Sequence, residues 1–111
     1  KTFAQALFLT ACALSAPFEC AVGFLVESQK VADDTAALVC AFLEIDASNA
    51  VLLHDNKSVD VIAFIDSDDR HKSITCYPFD DESEARVAAS MYTMWLVDVG
   101  TTRQHDTTNK K

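Results

Sequence analysis

Glycine and proline are scarce in this chain, with two of each among 111 residues. These two residues enforce turns more strongly than any others, so their scarcity predicts long regular elements, and helices above all. The sequence contains no internal repeat and no low-complexity tract, which argues against a repeat architecture. Its N-terminal apolar run is shorter than the roughly 20 residues that a bilayer-crossing helix needs, so no membrane span is predicted.

Positive charge is also scarce. Nine lysine and arginine residues stand against 17 aspartate and glutamate residues, which gives a formal net charge of −8 and a pI of about 4.6. Nucleic-acid backbones and anionic membranes repel such a chain, so no direct nucleic-acid binding is predicted. A basic protein surface would attract it and is the predicted kind of partner.

Motifs that specify a chemistry are missing. Gly23 and Gly100 are the only glycines, so no glycine-rich phosphate loop exists, and the signatures G-x-S-x-G and H-E-x-x-H do not occur. No two cysteines have C-x-x-C spacing, which leaves a zinc site with little support. The sequence therefore predicts a protein without catalytic residues, without a bound metal and without a cofactor.

Four cysteines lie at positions 12, 20, 40 and 76, each inside an apolar run. An even number allows two disulfides in any of three pairings. Placement in apolar runs favours free, buried thiols, which predicts the cytoplasm or another reducing compartment. Secretion with oxidised cysteines is the alternative.

Half of the residues are hydrophobic and 23% are charged, a composition typical of one packed domain. We expect the domain to span residues 1–100 and to be followed by a polar tail over 101–111. The predicted class is α+β. It comprises apolar N-terminal helices, a three-stranded antiparallel β-meander and a C-terminal helix packed on the sheet.

The first 15 residues, KTFAQALFLTACALS, resemble a secretory signal peptide, and LTAC within them resembles a lipoprotein cleavage box. We favour a retained helix instead. Its apolar residues occupy most of its circumference, which predicts burial within the fold or against a partner. If the segment is a leader, the secreted alternative applies.

The next run, residues 18–32, is ambiguous. Alternate apolar residues fit a strand, but a helical line through Phe18, Val22 and Leu25 also exists, and the length of the run favours a helix. A further helix is predicted from Asp33 and Asp34, which can cap it, to Ile45.

Three strands are predicted at 49–54, 59–65 and 72–79, with an acidic turn over 66–71. A final helix is predicted to start at Asp80 and Asp81, with Asp81 and Glu84 forming a capping box. Its apolar stripe runs through Val87, Ala88, Met91, Tyr92 and Trp95, and Gly100 ends it.

Acidic residues concentrate between Asp60 and Glu84. This segment holds eight acids against Arg70 and Lys72, which accounts for −6 of the net −8. The predicted partner-binding residues are Asp66, Asp68, Asp69, Asp80, Asp81, Glu82 and Glu84. Because a strand separates the first three from the last four, they are expected to form two acidic poles.

The leading hypothesis is a non-catalytic acidic protein-binding module that engages a basic partner, in the manner of small inhibitor or immunity proteins. A second hypothesis is a structural subunit of a homo- or hetero-oligomeric assembly, docked through the apolar N-terminal helix. A third is a small metal-binding protein or enzyme that uses the turn from Asp66 to His71, or Cys76.

Overall fold

The computed structural model describes residues 1–45, 49–53 and 57–98, with residues 49–53 given by their backbone alone. This part of the chain contains three helices and five strands, which confirms the α+β class. The helices are α1 (Thr2–Ser15), α2 (Gln29–Leu43) and α3 (Glu82–Ala89). The strands are β1 (Cys20–Val26), β2 (Asn49–Leu53), β3 (Lys57–Ile65), β4 (His71–Pro78) and β5 (Met94–Asp98). None of these helices has the length and apolar character needed to cross a membrane.

The strands form one mixed sheet in the order β2-β3-β4-β1-β5. The expected antiparallel meander is present as β2, β3 and β4, but it makes up only part of the sheet. Strand β1 lies parallel to both β4 and β5. Parallel strands need crossover connections. The connection from β1 to β4 runs through α2, β2 and β3, and the connection from β4 to β5 runs through α3.

The prediction of a helix over residues 18–32 was wrong, because Cys20–Val26 forms β1. Six of its seven residues are buried, and Phe24 and Leu25 on opposite faces are both inaccessible to solvent. A strand between two parallel neighbours is apolar on both faces, and such a pattern cannot be told from a buried helix by periodicity alone.

The prediction of a long C-terminal helix was also wrong. Helix α3 ends at Ala89, and the backbone N–H of Thr93 donates to the carbonyl of Ala21, which directs the chain alongside β1. Residues 94–98 then alternate between the two faces of the sheet as β5. Trp95 is therefore a strand residue and not part of a helical stripe, and the expected stop at Gly100 lies outside the described residues.

Helix α2 begins four residues earlier than Asp33, the predicted cap. The Ser28 hydroxyl accepts a hydrogen bond from the backbone N–H of Val31 at 3.3 Å, as an N-cap does. The helix ends where Glu44 adopts a left-handed conformation with φ of 58°. The two aspartates lie within its second turn.

Helices α1 and α2 cover one face of the sheet, and the short α3 covers part of the other. The core under α1 and α2 includes Leu9, Phe24, Val39, Ile62 and Ile74. The smaller core under α3 consists of Leu25, Val59, Tyr77, Phe79, Ala85 and Ala88. The sheet is thus the middle of three layers, and α3 leaves much of its own face uncovered.

Helix α1 is present as expected, and of the two predicted kinds of burial only burial within the fold is seen, on one side of the helix. It buries only the side formed by Ala6, Leu9, Thr10 and Ala13. Four large apolar side chains on its other side are about half exposed, namely Phe3, Leu7, Phe8 and Leu14. We call these four residues the apolar face of α1.

Gly23 is required by a close approach rather than by its backbone angles. A Cβ at this position would lie 2.6 Å from Cγ of the Tyr92 ring, well inside van der Waals contact. We therefore predict that Gly23→Ala lowers the free energy of unfolding by about 1–3 kcal/mol through overpacking. Denaturant unfolding measures the change.

The control is the same substitution in a Tyr92→Ala background, where the ring is gone. There the cost of Gly23→Ala should fall by more than about 1 kcal/mol, as expected for two residues in contact. Equal costs in both backgrounds would show that the ring does not set the requirement for glycine.

Candidate functional site

The seven acidic residues predicted to bind a partner lie at opposite ends of β4. Asp66, Asp68 and Asp69 precede its first residue, and the group from Asp80 to Glu84 follows its last. An eight-residue strand is roughly 26 Å long, so the two groups do not form a single patch. We call them the turn pole and the helix pole.

Asp66 is a buried part of the turn pole, with its side chain 5% exposed. Its Oδ1 accepts hydrogen bonds from the backbone N–H groups of Asp68 at 2.8 Å and Arg70 at 2.9 Å, while Oδ2 pairs with Lys72. The bond from the Arg70 backbone, together with the Lys72 ammonium, lowers the pKa of Asp66 to about 2. The negative charge of Asp66 is therefore neutralised inside the fold by Lys72.

Lys72 is the counter-charge, and its side chain is fully buried. The ammonium lies 3.0 Å from Asp66 Oδ2, and it donates to the carbonyl oxygens of Ala13 at 2.6 Å and Ala16 at 3.0 Å. These three acceptors match the three N–H bonds of an ammonium group. The lysine therefore fixes the end of α1 and the turn pole to the same point of the sheet.

Asp68 and Asp69 are the exposed members of the turn pole. Asp68 pairs with the Arg70 guanidinium at 2.9 Å, and Asp69 occupies a left-handed conformation with φ of 63°. Glu19 lies beside them, because its Oε2 accepts from the backbone N–H of His71 at 3.4 Å. This end of the domain thus presents carboxylates to solvent next to the end of α1.

Glu84 organises the helix pole. Its carboxylate contacts the Lys57 ammonium at 2.7 and 2.8 Å and accepts from the Tyr77 hydroxyl at 3.0 Å. Partial burial opposes ionisation of Glu84, but these bonds and one from the Asp80 backbone outweigh it and lower its pKa. Burial, followed by the bond to Glu84, raises the pKa of Tyr77 to about 12.

The remaining acids of the helix pole are near the surface. Asp81 caps α3 by accepting from the Glu84 backbone N–H at 2.8 Å, while Glu84 reaches back to the N–H of Asp80 and not to that of Asp81. Asp80 lies 3.2 Å from the Lys57 ammonium and is 78% exposed, and Glu82 is exposed in the first turn. Asp80 and Glu82 are the acids of this pole that a partner reaches most directly.

A metal or nucleophilic role for the turn finds no geometric support in the described residues. They contain no group of three or more histidine, cysteine, aspartate or glutamate side chains placed to hold an ion. Cys76 is completely buried, and burial raises its pKa, so that the thiol stays protonated. Cys20 and Cys40 are also buried, as predicted, whereas Cys12 is partly exposed.

A carboxyl pair formed by the buried Asp60 and the exposed Asp33 was missed by the sequence reasoning. Asp60 is 7% exposed and faces α2, where its carboxyl group shares a hydrogen bond with Asp33. Its Oδ2 has no hydrogen-bond partner among the described residues, and the other titratable groups near it are the thiols of Cys40 and Cys76. The one sequence signal was an acid within the otherwise apolar run over residues 59–65 of β3.

No cation among the described residues pairs with these two carboxyl groups, and a shared proton offsets their repulsion instead. Burial, followed by the bond and the charge of Asp33, raises the pKa of Asp60 to about 7. Two carboxyl groups in contact cannot both ionise without repulsion and therefore hold one proton between them.

The apolar face of α1 lies between an ion pair at the start of the helix and the turn pole at its end. At its start, the Lys1 ammonium pairs with Asp98 at the end of β5 at 3.2 Å. At its end, Lys72 joins the helix to the turn pole. Half-exposed apolar side chains in such a setting are typical of a docking surface with a polar rim.

Comparison with protein-family models, with curated proteins and with solved structures found no match to this chain.

We predict that Lys72→Met strongly destabilises the fold. The substitution leaves the Asp66 carboxylate buried without its counter-charge and two carbonyl groups of α1 without a donor. Breaking a buried pair in this way costs about 3–5 kcal/mol. The control is Lys30→Met, which removes an 83% exposed lysine paired with Asp34 and should cost less than about 1 kcal/mol. Similar melting temperatures for the two variants would contradict the assigned role.

We also predict that Asp60→Asn removes a pH dependence of stability. Because the pKa of Asp60 is about 7 in the folded state and 3.8 ordinarily, the folded state binds the extra proton. Stability from this group is complete below pH 4 and is lost as the pH rises to 7. Between pH 4 and pH 8 the wild type should therefore lose roughly 4 kcal/mol of stability that the variant does not lose.

Urea unfolding at pH 4, 6 and 8 tests this prediction, with Asp34→Asn as the control. Asp34 is an exposed acid one position from Asp33, so its variant should keep the wild-type slope. Protonation of Asp66 as the pH falls below 4 lowers the stability of the fold, and it does so equally in all three proteins. Parallel pH profiles for the wild type and Asp60→Asn would rule out the shared proton.

Proposed function

We propose that this protein is a non-catalytic protein-binding module that docks through the apolar face of α1 and uses acidic groups at the rim to select a basic partner. The observation that carries the proposal is the half exposure of Phe3, Leu7, Phe8 and Leu14 on a helix whose other side is buried. Each is 49–58% exposed, although all four belong to residue types that are usually buried.

Helix α1 is rigidly held, which favours its use as a binding element. Its buried side packs into the core, Lys72 fixes its last turn, and the Phe3 ring packs edge-on against Phe42 of α2 at 5.3 Å. A preorganised helix loses little conformational entropy on docking. Covering the exposed half of each large side chain would contribute roughly 1 kcal/mol.

The charges define the partner. Docking of a helix face into an apolar groove of a partner is a common recognition mode. The charges at the rim of that groove must then be opposite to the charges at the ends of the helix. Here the C-terminal end of α1 adjoins Glu19, Asp68 and Asp69, and among the described residues only Asp68 of these three has a cation, Arg70, at ion-pair distance. The partner that fits is a protein with an apolar groove bordered by lysine or arginine. Long-range attraction of this kind raises the association rate more than the affinity.

This proposal joins two hypotheses from the sequence. The first hypothesis was an acidic binding module of inhibitor or immunity type, and the proposal takes its charged surface from it. The second was an assembly subunit, and the proposal takes its docking helix from it. The contacts of Lys72 are the reason to join them, since they hold the end of that helix against the turn pole. The metal-binding or enzymatic alternative gains no comparable support, because Asp66 is directed into the fold.

We predict that Phe8→Ser abolishes capture of the physiological partner while leaving the domain folded. The immobilised full chain would be exposed to extracts of its source cells, and bound proteins would be identified by mass spectrometry. Binding of the purified partner should weaken at least tenfold in Phe8→Ser, because one anchoring aromatic side chain is lost. Val87→Ser is the matched control, since Val87 is exposed to a similar degree on the opposite side of the sheet.

The charge component is tested separately with Asp68→Asn/Asp69→Asn. The double variant keeps much of the turn chemistry but lacks two charges. Its association rate with the same partner should fall severalfold at low salt and approach the wild-type rate at high salt. A partner retained by Phe8→Ser but lost by Val87→Ser would overturn the assignment of the surface, and salt-independent kinetics would overturn the role of the acids.

A further inference from the structure

Strand β5 has the sequence of a central strand but lies at the edge of the sheet. Its residues Met94, Trp95, Leu96 and Val97 are apolar on both faces, a pattern typical of a strand with neighbours on both sides. None of the four is buried, and Trp95 and Val97 are 54% and 43% exposed. Among the described residues, β5 pairs only with β1.

An apolar groove of about 260 Å³ runs beside this strand on the side of α3. It is lined by Leu25, Ala85, Ala89, Trp95 and Val97, with Glu82 and Arg86 at its rim. Uncovered apolar surface therefore adjoins uncovered backbone hydrogen-bonding groups along one edge. Such an edge is a template for a further strand.

The edge carries few of the features that normally protect a free strand. It has no lysine, no proline and no described bulge. Its single charged residue, Asp98, is neutralised by Lys1 at 3.2 Å. In a chain with a net charge of −8, this edge is thus one place where two copies can approach with little repulsion.

We propose that the outer edge of β5 pairs antiparallel with β5 of a second copy of this chain, around a two-fold axis at Leu96. A two-fold axis there places Trp95 opposite Val97 of the other copy, an aromatic and β-branched pair of the kind that stabilises sheets. The same register places Asp98 opposite Met94, so the like charges do not meet. The strand is therefore complementary to itself, which is the requirement of an isologous dimer.

The dimer is independent of the partner proposed for α1. Trp95 and Val97 lie on the α3 side of the sheet, while α1 packs on the other side. Five residues of strand pairing form a small interface, so a concentration-dependent equilibrium is expected rather than a permanent dimer.

Trp95 is the only tryptophan in the chain, which makes the test direct. We expect the full chain to show a light-scattering mass near twice 12.2 kDa at high concentration and near 12.2 kDa on dilution. The fluorescence of Trp95 should shift to the red over the same dilution range, because the indole becomes exposed to water.

Val97→Lys tests the edge, because a charge on the pairing strand blocks addition of another strand. We expect this variant to remain monomeric, with Trp95 emission at the red limit at all concentrations. Val87→Lys places the same charge on an exposed site of α3 and should dimerise like the wild type. Equal circular dichroism and melting of the two variants at low concentration, where both are monomers, would exclude unfolding as the cause.

The register is tested by mixing Trp95→Cys with Val97→Cys under mild oxidation. Opposed residues on antiparallel strands have Cβ atoms about 4.5–5.5 Å apart, so the mixture should form a disulfide-linked heterodimer. Either variant alone should not form it. A monomeric wild type, a dimer that persists in Val97→Lys, or equal cross-linking of each variant with itself would overturn the proposal. The second outcome would instead indicate association through α1 or another surface.

Discussion

The buried ammonium of Lys72 is the interaction on which the arrangement of this domain depends. It joins three parts of the chain that are distant in sequence: the last turn of α1, the turn pole and the start of β4. A lysine is rarely buried because removal of its charge from water is costly, and here three oxygen atoms replace the water. This contact fixes the last turn of α1, and core packing places the rest of the helix and its apolar face.

The domain neutralises its buried acids in three different ways. Asp66 is paired with a buried lysine, Glu84 with Lys57 and a tyrosine hydroxyl, and Asp60 with a proton held against Asp33. The first two lower the pKa of the acid, and the third raises it. The high negative charge of the sequence therefore overstates the charge that a partner meets, because part of it serves the fold.

Elements with local signals were predictable from the sequence. The antiparallel meander was found because its strands are consecutive and β3 is rich in β-branched residues, and α1 because of its length. Strands β1 and β5 were missed because their neighbours are parallel and distant in sequence, so no hairpin signal marks them. Among the candidate site residues, Asp66 was selected for its charge, but its charge partner Lys72 was not recognised, since burial of a lysine depends on the tertiary fold. The Asp33–Asp60 pair was missed for the same reason.

The three-layer architecture separates two kinds of recognition. One face of the sheet carries α1, whose apolar side we propose to dock on a basic partner, while the proposed dimer forms at the β5 edge and on the other face. Because the two surfaces lie on opposite sides, one does not block the other. A dimer formed at β5 would present two α1 faces held in a fixed relation by a continuous sheet. Two linked sites that bind a repeated or dimeric partner gain effective concentration without any additional contact. The small domain would thereby compensate for the limited affinity that one short helix face provides.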